Sequence, residues 1–322
     1  MPTAVLVSET GGPEVLTVTE AEPGSPGPGE VLVDVAAAGV NYIDTYHRSG
    51  AYPLPLPFRI GLEGAGTVTA VGEGADAKVG DRIAWSSTLG SYAAQVVVPV
   101  AAAVPVPDGV DDQTAAALML QGLTAHYLLT STYAVQPGDT VLVHAAAGGV
   151  GLLLTQLATA RGARVIGTVS TAEKAELARA AGAAEVIRYD QVDFAPAVRE
   201  LTGGEGVAAV YDGVGASTFD GSLDSLRRRG VLALFGAASG PVPPVDPQRL
   251  NRAGSVFLTR PTLADHVVTT QELRGRAADL FDAVLAGELS VRIGATYALD
   301  DARTAHEDLE GRRTTGKVLL IP

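Results

Sequence analysis

The segment Ala145-Ala146-Ala147-Gly148-Gly149-Val150-Gly151 follows the apolar run Thr140 to His144 and leads into Leu152 to Arg161, which reads as a helix. A strand, a glycine-rich turn and a helix in that order present backbone N–H groups at a helix N-terminus with no side chain over them, as an anionic phosphate requires. Gly148 and Gly149 clear room for a pyrophosphate, and Gly151 lets helix and strand approach closely. Set against G-x-G-x-x-G, Ala146 replaces the first glycine while Gly148 and Gly151 fill the second and third places. The heptapeptide alone also fits a purely structural turn, so the elements around it have to decide.

Enzymes that select NAD place an Asp or Glu roughly 20 residues beyond this motif to hold the ribose hydroxyls. Here the second strand ends in Thr168-Val169-Ser170-Thr171, without an acid. Lys174 follows one helical turn later, placed to meet a 2′-phosphate, with the hydroxyls of Ser170 and Tyr189 as neutral partners. NADPH is therefore the expected cofactor, with Ala147, Gly148, Gly149, Val150, Gly151, Ser170, Lys174 and Tyr189 as its binding residues. Glu173 opposes this only weakly, because an acid in a first helical turn has the ordinary role of meeting the macrodipole. The alternative for Lys174 is a solvated helix residue.

The elements that position these residues show in the periodicity. Thr114 to Tyr127 is Ala- and Leu-rich, with Asp111 and Asp112 placed to cap a helix. Strand-like runs follow at Thr140 to His144, Arg164 to Val169, Glu185 to Arg188, Val207 to Asp212, Gly230 to Phe235 and Ser255 to Thr259, with helical stretches between. That alternation predicts a doubly wound parallel sheet. Before it, Val31 to Val35, Gly66 to Val71 and Ala93 to Val98 alternate apolar and polar positions between Gly and Pro clusters, which predicts antiparallel sheet or barrel. After it, a helix at Glu272 to Ala286 and a strand at Gly316 to Leu320 are too short to stand alone. The expected fold class is α/β plus mainly β: a first domain of residues 1–124 and 262–322, with a cofactor domain, 125–261, inserted. Pro241 to Pro247 reads as a loop, and no tandem repeat or low-complexity tract is present.

Composition excludes several classes of function. The 322 residues contain no cysteine, which removes disulfides, thiolate nucleophiles and cysteine-ligated metal sites. The five histidines show no metal-binding spacing and read as structural or exposed. A net charge of −13 argues against nucleic acid, and the short run Arg227-Arg228-Arg229 reads as a helix C-terminal cap. No apolar run is long enough to span a bilayer, and no signal-type segment opens the sequence, so a cytoplasmic enzyme is expected. The apolar run Ser255 to Thr259 falls at a sheet edge, which predicts a homodimer formed there.

The order of elements around the glycine motif resembles the medium-chain dehydrogenase/reductases, particularly their quinone oxidoreductase branch, which includes zeta-crystallin. The likeness covers nearly the whole chain. It is carried also by Ala38-Gly39-Val40-Asn41-Tyr42-Ile43-Asp44, Gly61-Leu62-Glu63-Gly64-Ala65-Gly66, Val79-Gly80-Asp81-Arg82, Gln121-Gly122-Leu123-Thr124-Ala125 and Thr315-Gly316-Lys317-Val318. The resemblance implies a GroES-like, partly open β-barrel catalytic domain with an inserted Rossmann domain. Zinc-dependent relatives have Cys just before the segment occupied here by Gly39 to Asp44, and His where this chain has Leu62; both positions are apolar here. No metal is expected, and with it Lewis-acid activation of an alcohol is lost.

The chemistry the resemblance then favours is hydride transfer from NADPH to an acceptor that is already electrophilic, a quinone or an α,β-unsaturated carbonyl. Neutral donors suffice to polarise such an acceptor. Asn41, Tyr46 and Tyr52 are the candidate catalytic residues, with Asn41 beside the nicotinamide ribose or the substrate and the tyrosines facing the cleft; simple packing is the alternative for each Tyr. The resemblance also brings Thr124 and Gln121 near the nicotinamide, passes the loop Phe235-Gly236-Ala237-Ala238-Ser239 over it, and makes Lys317 a basic residue near the cofactor. Helix-cap or core roles serve Thr124 and Gln121 equally well, and Phe235 fits a core role as readily. Asp44 and Glu63 echo acids that organise the site through hydrogen bonds or salt bridges. Two other functions fit the same sequence: an enone or enoyl-thioester reductase, in which Tyr52 supplies a proton, and a crystallin-like protein that binds NADPH without turnover.

Overall fold

The computed structural model describes residues 1–322, which divide into two compact units, Met1–Leu123 with Val267–Pro322 and Thr124–His266. The first unit is organised by one long strand, Glu30–Val40. Its buried residues alternate from Val31 to Val35, as a half-covered strand requires, and from Ala37 onward every residue is buried. Glu63–Val71 pairs along one edge, while Gln95–Pro99 and Lys317–Ile321 pair antiparallel to the two halves of the other edge. The full sheet has seven strands, in the order Ile293–Ala298, Lys317–Ile321, Glu30–Val40, Glu63–Val71, Arg82–Trp85, Ala103–Pro105, with Gln95–Pro99 added to the long strand. A second sheet joins Leu16–Glu20, Thr3–Val7 and Phe58–Arg59. Trp85, Tyr92, Ile60, Val33 and Leu320 fill the core beneath, and the Trp85 indole N–H is satisfied by Ser91 Oγ at 2.8 Å.

Register fixes what meets at the end of the long strand. Gly39 lies opposite Glu63 on one side and Leu319 on the other, and Val40 faces Val318. The chain then turns at Asn41 into the helix Tyr42–Ser49, which ends at Gly50 in the left-handed conformation, φ 79°.

In the second unit six parallel strands run in the order Glu185–Arg188, Arg164–Val169, Thr140–Val143, Val207–Asp212, Leu226–Leu234, Phe257–Thr259. Numbered along the chain this is 3-2-1-4-5-6, the doubly wound order whose reversal lies between the first and fourth strands. Leu142, Ile166, Val210 and Leu232, all fully buried, form the layer on one face of the sheet, packed against Val198 of the helix Phe194–Leu201 and Phe219 and Leu223 of the helix Phe219–Ser225. The last strand is an edge, and its Phe257 is 61% exposed. No helix is long and apolar enough to cross a membrane.

One expectation is overturned. Arg227-Arg228-Arg229 does not cap a helix: the helix Phe219–Ser225 has no basic residue in its last turn, and the arginines open the strand Leu226–Leu234. Leu226, 1% exposed, pairs with Val207 and starts the strand early, so the arginines fall in the irregularity before Val231 meets Ala209, with Arg229 at φ 58°. Arg227 reaches Asp139 at 3.2 Å instead. Elsewhere the differences are small. Ser255 is in the left-handed region, φ 57°, which delays the last strand to Phe257, and Pro247 closes its loop by opening the helix Pro247–Arg252. Asp111 Oδ1 does accept from Thr114 N at 2.7 Å, whereas Asp112 is drawn to Arg82.

Candidate active site

In the first unit the sheet register brings a carboxylate and an ammonium together in the dark of the core. Glu63 is 0% and Lys317 1% exposed, and Lys317 Nζ contacts Glu63 Oε2 directly. They meet across Gly39 because it has no side chain: a Cβ there would collide with Glu63 Oε2 and lie 2.7 Å from Lys317 Nζ. Burial pulls Lys317 below the ordinary lysine value and the charge of Glu63 pulls it back. Glu63 Oε1 accepts from Leu120 N at 2.5 Å, and Oε2 accepts from Asn41 Nδ2 at 2.7 Å. Asn41 Oδ1 in turn accepts from Lys317 Nζ at 2.9 Å and Gln121 Nε2 at 3.0 Å, and Asn41 Nδ2 donates also to Gly39 O at 3.3 Å.

Both edges of the Asn41 amide are thus spent within the protein. As a donor to an acceptor molecule it has nothing left to give, and its task in this arrangement is to join Glu63 and Lys317 to Gln121. Lys317, expected beside the cofactor, has its charge committed to Glu63. Glu63 and Asp44 are organisers through hydrogen bonds, as the resemblance implied.

Asp44 carries a second buried chain. Its Oδ2 accepts from Asn41 N and from the Tyr92 hydroxyl, each at 2.8 Å, and its Oδ1 meets no protein donor. His306 Nε2 lies 3.2 Å from Tyr92 Oη and His306 Nδ1 lies 3.0 Å from Arg48 Nη1. A guanidinium only donates, so Nδ1 accepts and the proton sits on Nε2, pointing at Tyr92. Burial, then the neighbouring Arg48, holds His306 down at about 3, which keeps it neutral. Arg48 is anchored by Glu310 at 2.9 Å. Of these residues only Asn41 and Asp44 stand out in the sequence; Tyr92, His306, Arg48 and Glu310 do not, because they lie far apart in the chain and no spacing rule joins them.

Burial raises the Asp44 carboxyl to about 7. An unfolded Asp titrates near 4. Between those pH values the folded protein holds a proton that the unfolded chain has released, so stability falls as pH rises through this window, by on the order of 4 kcal/mol in total. Asp44→Asn is expected to remove that slope and to be the more stable protein at pH 8, with little difference at pH 4. Urea unfolding of both proteins across this range is the check; parallel pH profiles would contradict the assignment.

Tyr46 and Tyr52 lie side by side, ring centroids 5.1 Å apart and tilted by 58°, with Tyr42 6.2 Å from Tyr46. Tyr52 is 41% exposed and Tyr46 half-buried, so the pair offers an open aromatic edge.

In the second unit the glycine motif has the predicted form. Gly148 caps the helix Gly149–Ala160, and Ala145 turns the chain with φ 50°. At Gly151 a Cβ would collide with Ala145 O and lie 2.8 Å from Ala146 Cα, and at Gly148 it would stand 3.2 Å from Ala145 O. The helix N-terminus, kept bare by its glycines, fits a pyrophosphate. Ala147 is buried beneath it, and Val150 lies in the first turn. The second strand ends at Val169 and Ser170 follows it, Thr171 caps the next helix by accepting from Lys174 N at 3.2 Å, and Tyr189, 43% exposed, follows the third strand. Thr124 is buried in the helix Asp112–Tyr127.

The loop after the fifth strand is locked to the loop after the fourth. Phe235 N donates to Asp212 O at 2.8 Å, Ser239 Oγ donates to Val214 O at 2.8 Å, and Gly236 passes so close to Gly213 that a Cβ would collide with its carbonyl. Buried Asp212 holds the fourth-strand loop through Val214 N, Gly215 N and Thr218, and its Oδ2 takes Ser222, whose hydroxyl in turn meets His144 at 3.0 Å. No group of three or more His, Asp or Glu side chains gathers as a metal ion would require.

Residues 27–108 match the alcohol dehydrogenase GroES-like domain family, and residues 149–283 the zinc-binding dehydrogenase family. A quinone oxidoreductase of Pseudomonas aeruginosa is 48% identical over 315 residues, 97% of each chain. A 2-haloacrylate reductase of a Burkholderia species is 44% identical, covering 100% of this chain and 99% of its own. A mycobacterial protein solved in complex with NADPH superposes with a TM-score of 0.97 at 57% identity, over 99% of this chain and 100% of that one. The chain belongs to the medium-chain dehydrogenase/reductase family. Within it, the similarity is to the quinone oxidoreductases, and it spans nearly the whole length of both chains.

Proposed function

We propose that this chain is an NADPH:quinone reductase, cytoplasmic and working without a metal, that dimerises through the exposed edge strand Phe257–Thr259. The observation that carries the activity is the glycine-lined helix N-terminus, followed by a second strand, Arg164–Val169, after which come Ser170 and, in the next helix, Lys174, with no acid at the strand end, in a chain 48% identical to a quinone oxidoreductase and 57% identical to a protein solved with NADPH. When bound, NADPH supplies a hydride to the acceptor, and solvent supplies the proton that completes its reduction.

The chain's own residues bind, orient and shield. The N–H groups of Gly149, Val150 and Gly151 take the pyrophosphate, with Gly148 and Ala147 behind them. Lys174, Ser170 and Tyr189 take the 2′-phosphate. Thr124 and the loop Phe235, Gly236 and Ser239 confine the nicotinamide. Tyr46 and Tyr52 stack against or hydrogen-bond a flat acceptor, and Asn41, held by Glu63 and Lys317, fixes the floor near it.

Lys174→Ala tests the cofactor assignment. Loss of a charge-assisted bond to the 2′-phosphate is expected to weaken NADPH ten- to a hundredfold while leaving NADH within about twofold. Equal losses for both cofactors, measured by titration of cofactor fluorescence, would defeat it.

The Burkholderia 2-haloacrylate reductase favours a second reading, reduction of an activated carbon–carbon double bond, in which Tyr52 donates the proton to carbon. Turnover of a naphthoquinone, 2-chloroacrylate and crotonyl-CoA under one set of conditions separates the two, the quinone being the expected fast substrate.

A further inference from the structure

The sheet of the second unit reverses between its first and fourth strands, and a dinucleotide lies in the crevice over the carboxyl ends of strands at such a point. A buried side-chain bridge crosses the sheet there. His144 directly follows the first strand, Asp212 closes the fourth, and Ser222 joins them; all three are buried. The hydrogens of the bridge are fixed from its acidic end. The Asp212 carboxylate only accepts, and it faces the N–H groups of Val214 and Gly215 and the hydroxyls of Thr218 and Ser222. Ser222 Oγ has one hydrogen and two neighbours, Asp212 Oδ2 at 2.8 Å and His144 Nε2 at 3.0 Å. Given to the carboxylate, that hydrogen leaves Ser222 to accept from His144, so the ring proton sits on Nε2. His144 Nδ1 then accepts from the Thr168 hydroxyl at 2.8 Å. Burial holds His144 below the ordinary histidine value, against the pull of Asp212, which keeps the ring neutral at pH 7.

Each end of the bridge is fastened to a loop at the carboxyl end of the sheet. His144 leads into the glycine turn, whose Ala146 N donates to Thr168 O at 3.1 Å. Asp212 holds residues 213–218, and these hold the loop after the fifth strand: Ser239 N donates to Val214 O at 2.8 Å, Ala238 N to Gly213 O at 3.2 Å and Ser217 N to Ser239 Oγ at 3.0 Å. We propose that His144, Ser222 and Asp212 are positioning residues for hydride transfer, fixing the loop Phe235 to Ser239, and the nicotinamide it confines, relative to the glycine turn that holds the pyrophosphate. The proposal rests on the quinone reductase reading above, which lays NADPH across this crevice. The three residues act through the loops and transfer no proton; their effect is to keep the nicotinamide close to the geometry of attack.

The test has two arms. The first reads the bridge without a variant, from the imidazole nitrogens of His144 in backbone-assigned, ¹⁵N-labelled protein at pH 7, where the neutral Nε2–H tautomer is expected. In Asp212→Asn the N–H groups of Val214 and Gly215 claim the amide oxygen, so the amide nitrogen donates to Ser222, the Ser222 hydrogen turns to His144, and the ring proton is expected on Nδ1. The second arm is Ser222→Ala, which breaks the bridge and leaves the helix N-terminus at Gly149 untouched. It is expected to keep the Kd for NADPH within about threefold and to slow hydride transfer to 1,4-naphthoquinone in a single turnover about tenfold. A wild-type His144 that is charged or protonated on Nδ1 overturns the proposal, as does an Asp212→Asn protein that keeps the Nε2–H tautomer. So does a Ser222→Ala protein that transfers hydride at the wild-type rate. Loss of NADPH affinity in step with the rate, at a lowered Tm, would show the bridge to be merely structural. A wild type that binds NADPH and does not reduce the naphthoquinone would defeat the underlying reading, and the proposal with it.

Discussion

Lys317→Met is expected to lower the free energy of unfolding by about 3–5 kcal/mol at neutral pH. The substitution leaves the Glu63 carboxyl at 0% exposure without its cation, with only the Leu120 N–H and the Asn41 amide as partners. It also removes one of the two donors that orient Asn41. Most of the loss reflects the stranded carboxylate and not the worth of the pair, since a buried ion pair repays little more than its desolvation. Adding Glu63→Gln to Lys317→Met should therefore recover much of the stability, and the double variant should be firmer than the single one. Denaturant unfolding of the three proteins checks this. A Lys317→Met protein within about 1 kcal/mol of wild type, or a double variant weaker than Lys317→Met, would contradict this reading of the cluster.

Gly151→Ala is expected to cost more than a hundredfold in NADPH affinity. The added methyl would collide with Ala145 O and press on Ala146 Cα at 2.8 Å, so the helix Gly149–Ala160 has to move off the turn that presents its N-terminus. Gly148→Ala, whose Cβ would stand 3.2 Å from the same carbonyl, is the milder change to the backbone and intrudes on the phosphate itself. Titration of cofactor fluorescence, with circular dichroism to establish folding, tests the pair. NADPH affinity within threefold of wild type for Gly151→Ala would show that the close approach is irrelevant to binding.

How far the sequence alone reaches differs between the two units. The parallel sheet was legible because each strand is a short apolar run bounded by turn residues, and Arg164–Val169, Glu185–Arg188 and Val207–Asp212 lie where periodicity puts them. Arg227 to Arg229 was misread because a basic run after a helix pattern looks like a cap, while buried Leu226, which starts the strand, gives no local sign of its partner Val207. The cluster of the first unit was legible only as residue types. Nothing in the spacing joins Glu63 to Lys317 or Asp44 to His306; strand register and packing do. A charge set among small residues, as Glu63 is in Gly61-Leu62-Glu63-Gly64-Ala65-Gly66, or at the head of an apolar strand, as Lys317 is in Lys317–Ile321, was the available signal that both are buried and need a partner.

The central claim, hydride transfer from NADPH to a quinone without a metal, is tested most directly by following NADPH at 340 nm in chelator-treated protein before and after 1,4-naphthoquinone is added. The account predicts acceptor-dependent oxidation of NADPH, one equivalent per quinone reduced and much slower with NADH; oxidation that is independent of the acceptor, or that returns only when a divalent metal is restored, would contradict it.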